Sequence, residues 1–233
     1  MSNIKELQDI VVQIRRDILR MVHKVNSGHP GGSLGCTEFF VSLFYNIMEI
    51  KLPFDMNGKN QDIFFLSNGH ISPVFYSVLA RKGFFPIKEL ETFRLINSRL
   101  QGHPTTHEGL PGVRVASGSL GQGLSVSIGA ALSKKLNKDS KTVYVLLGDG
   151  ECNEGTVWES ALFASSKNLN NLIAIVDFNG WQGIGKTRSI LNLSPFAEKW
   201  KSFGWNVRIV NGHNHKQLYN NLKKKFSKPT VLI

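Results

Sequence analysis

Thr142-Val143-Tyr144-Val145-Leu146-Leu147-Gly148-Asp149-Gly150, followed further on by Leu172-Ile173-Ala174-Ile175-Val176-Asp177, decides the fold. Each segment is an unbroken apolar run of strand length, the pattern of a parallel strand buried on both faces rather than the alternation of a half-exposed one. Residues 154–168 between them carry a helical pattern. The whole reads as strand–helix–strand, and such crossovers build parallel sheets covered by helices.

Working outward, Ile63 to Leu66 is a short apolar run that ends in Ser67-Asn68-Gly69-His70, a strand leading into a loop. Val207 to Val210 and Thr230 to Ile233 read as further strands. Helical spacing predicts helices over 4–25, 37–48 (with Thr37 as N-cap), 72–82, 87–98, 122–136 and 215–226. No repeat or low-complexity linker interrupts the chain. The expectation is therefore a single α/β domain over 1–233, with a mostly parallel central sheet and helices on both faces.

Composition narrows the classes. With 41% hydrophobic and 19% charged residues, the 233-residue chain is neither disordered nor collagen-like. A chain of this size buries roughly 70% of its unfolded surface. No apolar run reaches bilayer length, and the N-terminus lacks the apolar block of a secretion signal, so a cytoplasmic location and no membrane partner are expected. Cys36 and Cys152 lie far apart without a CxxC, which argues against a structural zinc site or a disulfide. Much of the net charge of +11 sits in the last third, at Lys199, Lys201, Arg208, Lys216, Lys223, Lys224, Lys225 and Lys228. No nucleic-acid motif accompanies it. The Lys223-Lys224-Lys225 run reads as a solvated helix face, and phosphorylated ligands are the more specific expectation.

In open parallel sheets, ligands bind beyond the carboxyl ends of the strands. Asp149 follows one strand, and Asn179 follows the next, thirty positions later. Alone, an Asp between two glycines is a common turn. Paired with Asn179 one crossover later, it reads as a ligand set, because a carboxylate, an amide oxygen and a backbone carbonyl suit a hard divalent cation such as Mg²⁺. Gly148 and Gly150 let the backbone approach a bulky anion, and the helix start near 153–156 offers N–H groups to it.

The spacing of Gly148-Asp149-Gly150 and Asn179 resembles the thiamine-diphosphate signature, and the run from Gly148 to Glu159 is especially similar to that of transketolases. Four other blocks add to the likeness. They are Ser27 to Gly32, Leu66 to His70, Gln101-Gly102-His103-Pro104, and Ser117-Gly118-Ser119-Leu120-Gly121-Gln122-Gly123. The resemblance implies the thiamine-diphosphate-binding fold. It also implies Mg²⁺, with Ca²⁺ or Mn²⁺ as substitutes, on Asp149, Asn179 and the backbone carbonyl of Trp181. Gly118, Ser119, Leu120, Gly148 and Gly150 would line the cofactor. His29, His70 and His103 would contact the diphosphate or sugar hydroxyls and assist proton transfers. Glu154 and Glu159 would join a carboxylate network around the cofactor across a subunit contact. Trp181 stands where transketolases commonly carry a smaller aliphatic residue.

Full-length transketolases continue into a domain that grips the aminopyrimidine ring, and past residue 233 the family carries a Lys/Gly-rich loop and another histidine. The chain is accordingly expected to be the N-terminal, diphosphate-binding subunit of a split transketolase. Its partner would be a C-terminal subunit carrying the pyrimidine domain, in an α2β2 assembly that moves a two-carbon ketol group between sugars or sugar phosphates. Three other readings stand beside this one: a different thiamine enzyme, such as a deoxyxylulose-phosphate synthase or an E1 component; a non-catalytic protein on the same fold; and, more distantly, a nucleic-acid binder.

Overall fold

Valine, isoleucine and leucine dominate the runs that the sequence marks as strands, and in the computed structural model, which describes residues 3–233, those runs pair into one sheet. Its strands are β1 (Ile63–Leu66), β2 (Val143–Gly148), β3 (Leu172–Asp177), β6 (Asn206–Arg208) and β7 (Thr230–Leu232), in the order β1-β2-β3-β7-β6. Every neighbouring pair is parallel. Between β3 and β6 lies a short antiparallel hairpin, β4 (Trp181–Gln182) with β5 (Gly185–Lys186), which no apolar run in the sequence announces.

Nine α-helices occur among the described residues: α1 (Ile4–Val25), α2 (Pro30–Gly35), α3 (Thr37–Ser42), α4 (Ser72–Arg81), α5 (Gln122–Leu136), α6 (Gly155–Ser166), α7 (Thr187–Ile190), α8 (Phe196–Ser202) and α9 (His215–Leu222). None is long and apolar enough to cross a membrane. The chain gathers into two compact units. One comprises the chain up to Gly58, Gly69–Gly118 and Asn211–Lys223; the other comprises Lys59–Asn68, Ser119–Val210 and Lys224–Ile233.

The first unit is helical. Asn3 caps α1 by accepting from the Lys5 N–H at 3.0 Å, and the left-handed Asn26 closes the other end. Its Leu7, Val11, Ile14, Ile18 and Met21 form the buried stripe, packed along α3 and α4. Asp17 is buried on that same face, where Arg81 of α4 donates to it at 2.5 and 2.9 Å and Ser77 at 2.8 Å. Thr37 does not cap α3. Cys36 holds the cap position, and the Thr37 hydroxyl reaches back to the Ser33 carbonyl at 3.0 Å, bridging two nearly continuous helices. The predicted helix over 87–98 also differs: only a 3₁₀ turn, Ile87–Thr92, forms. Arg94 and Asn97 take left-handed backbone (φ 57 and 63) at a cost of about 1 kcal/mol each. Thr92 and Ser98 hydroxyls close the loop at 2.7 Å, and the Arg94 N–H donates to the Leu100 carbonyl at 2.9 Å. Helix α9 ends at Leu222, so Lys223, Lys224 and Lys225 are exposed just past the helix rather than along its face.

The second unit holds the whole sheet. Val143 to Leu147 and Leu172 to Val176 are buried throughout, each large apolar side chain stabilising by about 1.5–3 kcal/mol. Helix α5 packs across β1, β2 and β3, and α6 lies against α5, where the Ser125 and Ser160 hydroxyls meet at 2.7 Å. Trp158, Phe196, Trp200 and Trp205 form an aromatic cluster, and the Trp205 indole donates to the Ala161 carbonyl at 2.8 Å. Cys36 and Cys152, one in each unit, are buried and form no disulfide.

Candidate functional site

In the second unit, β2 and β3 are direct neighbours, with Gly148 opposite Asp177 and the Asp149 N–H donating to the Asp177 carbonyl at 3.1 Å. The two strand ends carrying Asp149 and Asn179 therefore lie side by side. Asp149 is only 2% exposed. Its Oδ1 accepts from the Gly150 N–H at 2.8 Å, and its Oδ2 accepts from the Gly180 N–H at 2.9 Å and the Thr187 hydroxyl at 3.0 Å. Gly180 directly follows Asn179, so Asp149 pins the turn that bears the second expected ligand. That turn is fixed internally as well: Asn179 Oδ1 accepts from the Trp181 N–H, and Asn179 Nδ2 donates to Asp177, each at 2.8 Å.

Burial raises the Asp149 carboxyl above its ordinary pKa, and hydrogen bonds from Thr187, Gly180 and Gly150 oppose that shift. A cation against the carboxylate would favour the ionised form further. Three buried polar atoms around the loop have no partner: Asn68 Oδ1, Asn153 Oδ1 and Gln182 Nε2. Asn68 lies closest to where a Cβ on Gly148 would sit, at 3.9 Å, and the Gln182 side chain packs against Gly150. Two spare acceptors, a spare donor and a hard oxygen set fit a hydrated divalent cation with its oxyanion. Among the described residues no three His, Cys, Asp or Glu side chains form a metal-type cluster, which accords with a set that contains a single acid.

Glu151 lies within the run from Gly148 to Glu159, yet no local pattern singles it out. It is 2% exposed and accepts from the Ser67 hydroxyl, from the Gly121 N–H at 2.8 Å and from the Gly148 N–H at 3.1 Å. One carboxylate thus ties the loop after β1, the start of α5 and the end of β2. Thr187 carries no sequence signal either, because its contact with Asp149 is set by a distant turn. Ser119 (exposed) and Leu120 (half-buried) run into the N-terminus of α5. Glu154 stands at the N-cap of α6 and Glu159 lies further along that helix; both are exposed, and neither makes an ion pair among the described residues. The Trp181 ring is 60% exposed, with the Lys186 ammonium 5.7 Å from its centre.

The first unit brings the three histidines together. The His29 ring lies 5.2 Å from that of His70 and 6.4 Å from that of His103. Helix α4 sets the His103 loop: Tyr76 donates to the Gln101 carbonyl at 2.8 Å and Ser72 to the Gly102 carbonyl at 2.7 Å. The Ser33 hydroxyl holds the His29 carbonyl at 2.8 Å. His70 sits in the 3₁₀ turn Gly69–Ile71. Gly118 (φ 120) is pressed against the His103 ring, where a Cβ would come within 2.6 Å of Cδ2.

Burial, followed by the neighbouring His29 and His103, lowers the His70 pKa to about 4. Burial and the Arg94 charge lower His29 and His103 as well. All three are therefore neutral imidazoles near pH 7, able to accept as well as donate. The unfolded chain protonates His70 near 6.5, whereas the folded chain resists until about 4. Stability is thus expected to fall as pH drops from about 6.5 to about 4 and to level off below. Denaturant unfolding across that range checks it: His70→Gln should flatten the slope, and an equal slope in both proteins would refute the assignment.

The family described as transketolase, thiamine diphosphate binding domain, matches residues 7–233. A 6-deoxy-6-sulfo-D-fructose transketolase subunit of Clostridium sp. (strain MSTE9) is 36% identical over 231 residues, covering 98% of this chain and 83% of that protein. An apulose-4-phosphate transketolase subunit from Phocaeicola vulgatus is 35% identical, covering 94% of this chain and 78% of that one. Human transketolase is 36% identical over the full chain, which spans 37% of that protein. The crystal structure of the Campylobacter jejuni transketolase superposes with a TM-score of 0.91 at 30% identity, covering 99% of this chain and 37% of that one.

Proposed function

The chain belongs to the transketolase family, as a thiamine diphosphate-binding domain on the transketolase fold, and on that premise we propose that it is the cofactor-holding subunit of a two-chain transketolase. Its relatives of similar length carry names of transketolase subunits, and it covers 83% and 78% of two of them. The reaction is transfer of a two-carbon ketol group from a ketose to an aldose, with phosphorylated sugars as the substrate class. A second subunit bearing the pyrimidine domain completes an α2β2 assembly in the cytoplasm.

The observation that carries this reading is the single carboxylate of Asp149, buried at the end of β2 and hydrogen-bonded to the turn that bears Asn179. Asp149, Asn179 and the Trp181 carbonyl would hold Mg²⁺, with Gly148 and Gly150 admitting the diphosphate. Gly118, Ser119 and Leu120 would line the cofactor rings, and Glu154 and Glu159 would meet the partner. Thiamine diphosphate, when bound, would supply a nucleophilic carbon and an electron-withdrawing ring that stabilises a carbanion. The chain's own groups would hold the anion and move protons. His29, His70 and His103, neutral near pH 7, are suited to accept a proton from a sugar hydroxyl and return it.

The test is reconstitution. The chain mixed with a pyrimidine-domain subunit, thiamine diphosphate and Mg²⁺ should convert a ketose phosphate and an aldose phosphate to exchanged products, and neither chain alone should do so. Product from the isolated chain would refute the two-chain reading.

A further inference from the structure

At the edge of the sheet opposite β1 stands β6, and its backbone is only half used. The Asn206 N–H donates to the Pro229 carbonyl at 2.9 Å, the Ile233 N–H to the Arg208 carbonyl at 2.8 Å, and the Val210 N–H to the Ile233 carbonyl at 2.9 Å. The ladder to β7 therefore runs on through Val210 and uses Asn206, Arg208 and Val210. Successive residues of a strand turn their backbone groups to opposite sides, so those of Val207 and Ile209 point away from β7. Among the described residues no strand neighbours β6 on that side. The Ile209 side chain is 72% exposed. A row of outward donors and acceptors beside an exposed β-branched residue is a template for another strand.

Charge determines what can pair there. Arg208 lies on β6 itself, its guanidinium 5.8 Å from the centre of the Phe226 ring. Lys224 and Lys225 precede that phenylalanine, and Lys228 precedes the proline whose carbonyl β6 binds. Helix α8, packed on β6, carries Lys199 and Lys201. Glu198 is the only acid over 196–210 and 224–233, and Lys201 already holds it at 2.7 Å. A second copy pairing through β6 would set two such cationic edges face to face, which is unfavourable. We propose that β6 is a docking edge for an extended acidic segment of another protein, which adds to the sheet through backbone bonds to Val207 and Ile209 and turns its carboxylates toward Arg208 and the neighbouring lysines. In strand addition of this kind the main chain supplies affinity and the side chains supply choice. The same cations that keep copies of the chain apart select the partner by its sign. The edge lies beyond β7 from the strand ends that carry Asp149 and Asn179, so docking there is independent of cofactor binding.

The experiment titrates the full chain with a blocked peptide of alternating glutamate and valine while NMR follows the backbone amides and their hydrogen exchange. The Val207 and Ile209 amides should gain about tenfold or more protection, whereas those of Asn206 and Val210, already bonded within the sheet, should change little. Affinity should fall as salt is raised, and a lysine–valine peptide of equal length should not bind. Ile209→Pro removes an outward N–H and leaves the ladder to β7 intact, since proline is tolerated at such edge positions; it should weaken the glutamate peptide by about tenfold. Arg208→Glu should weaken it too and admit the lysine peptide, a reversal that misfolding would not produce. Absence of glutamate-peptide binding, binding without protection of Val207 and Ile209, or equal affinity in both variants overturns the proposal. Protection of those amides that grows with protein concentration alone would make a second copy the occupant and overturn it, as would tighter binding of single-stranded RNA than of the acidic peptide.

Discussion

Asp149→Ala is expected to lower the Mg²⁺-dependent affinity for thiamine diphosphate by more than about 100-fold, because even residues that merely support a metal ligand cost 10–100-fold when removed. The substitution removes the one buried carboxylate of the expected ligand set and also releases the Gly180 N–H and the Thr187 hydroxyl that it accepts from. The turn carrying Asn179 and Trp181 then loses its anchor, so two ligands suffer for one mutation. Titration calorimetry with and without Mg²⁺ reads the effect. Asp149→Asn keeps the shape and one acceptor oxygen, and should retain the fold while still losing most of the cation dependence. An affinity equal to that of the parent chain in both variants would sink the site assignment.

Glu151→Ala is expected to destabilise the chain by about 3–5 kcal/mol, because three buried donors lose the acceptor they share. The Ser67 hydroxyl and the Gly121 and Gly148 N–H groups would each lose an acceptor in the interior, where an unsatisfied group costs roughly 1–3 kcal/mol. For a domain of this size that corresponds to a fall in Tm of about 10 °C. Thermal unfolding by circular dichroism checks it, and a change under about 2 °C, less than a single kcal/mol would produce, would show the network to be dispensable. Cofactor affinity should fall in parallel, since Gly148 precedes Asp149.

The sheet was legible in the sequence wherever burial on both faces removed polar residues from the run: β1, β2 and β3 lie within a residue of the expected limits. The strand-end pair Asp149 and Asn179 was legible for the same reason, because parallel neighbours put their carboxyl ends together. What stayed hidden depends on contacts between distant segments. Periodicity carried the helix over 87–98 onward, whereas the loop after Thr92 is held by Leu100 and by Ser27, neither of which a local window weighs. Glu151 looks like any acid in a loop until the partners at 67 and 121 are known. Thr187 opens α7, a helix of four residues, too short to carry a periodic signal.

The parallel pairing of β1 with β2 also governs when the sheet can begin to form. Phe64 and Phe65 must wait for Tyr144 and Val145. During synthesis, the apolar β1 is therefore made long before the strand that shelters it, and then β3 and β7 must join in turn. Such long-range closure slows folding and leaves a nascent strand open to wrong partners. A ribosome-bound chain halted before β2 should be protease-sensitive at β1 and bind chaperones that hold extended apolar segments, whereas release after β3 should protect it.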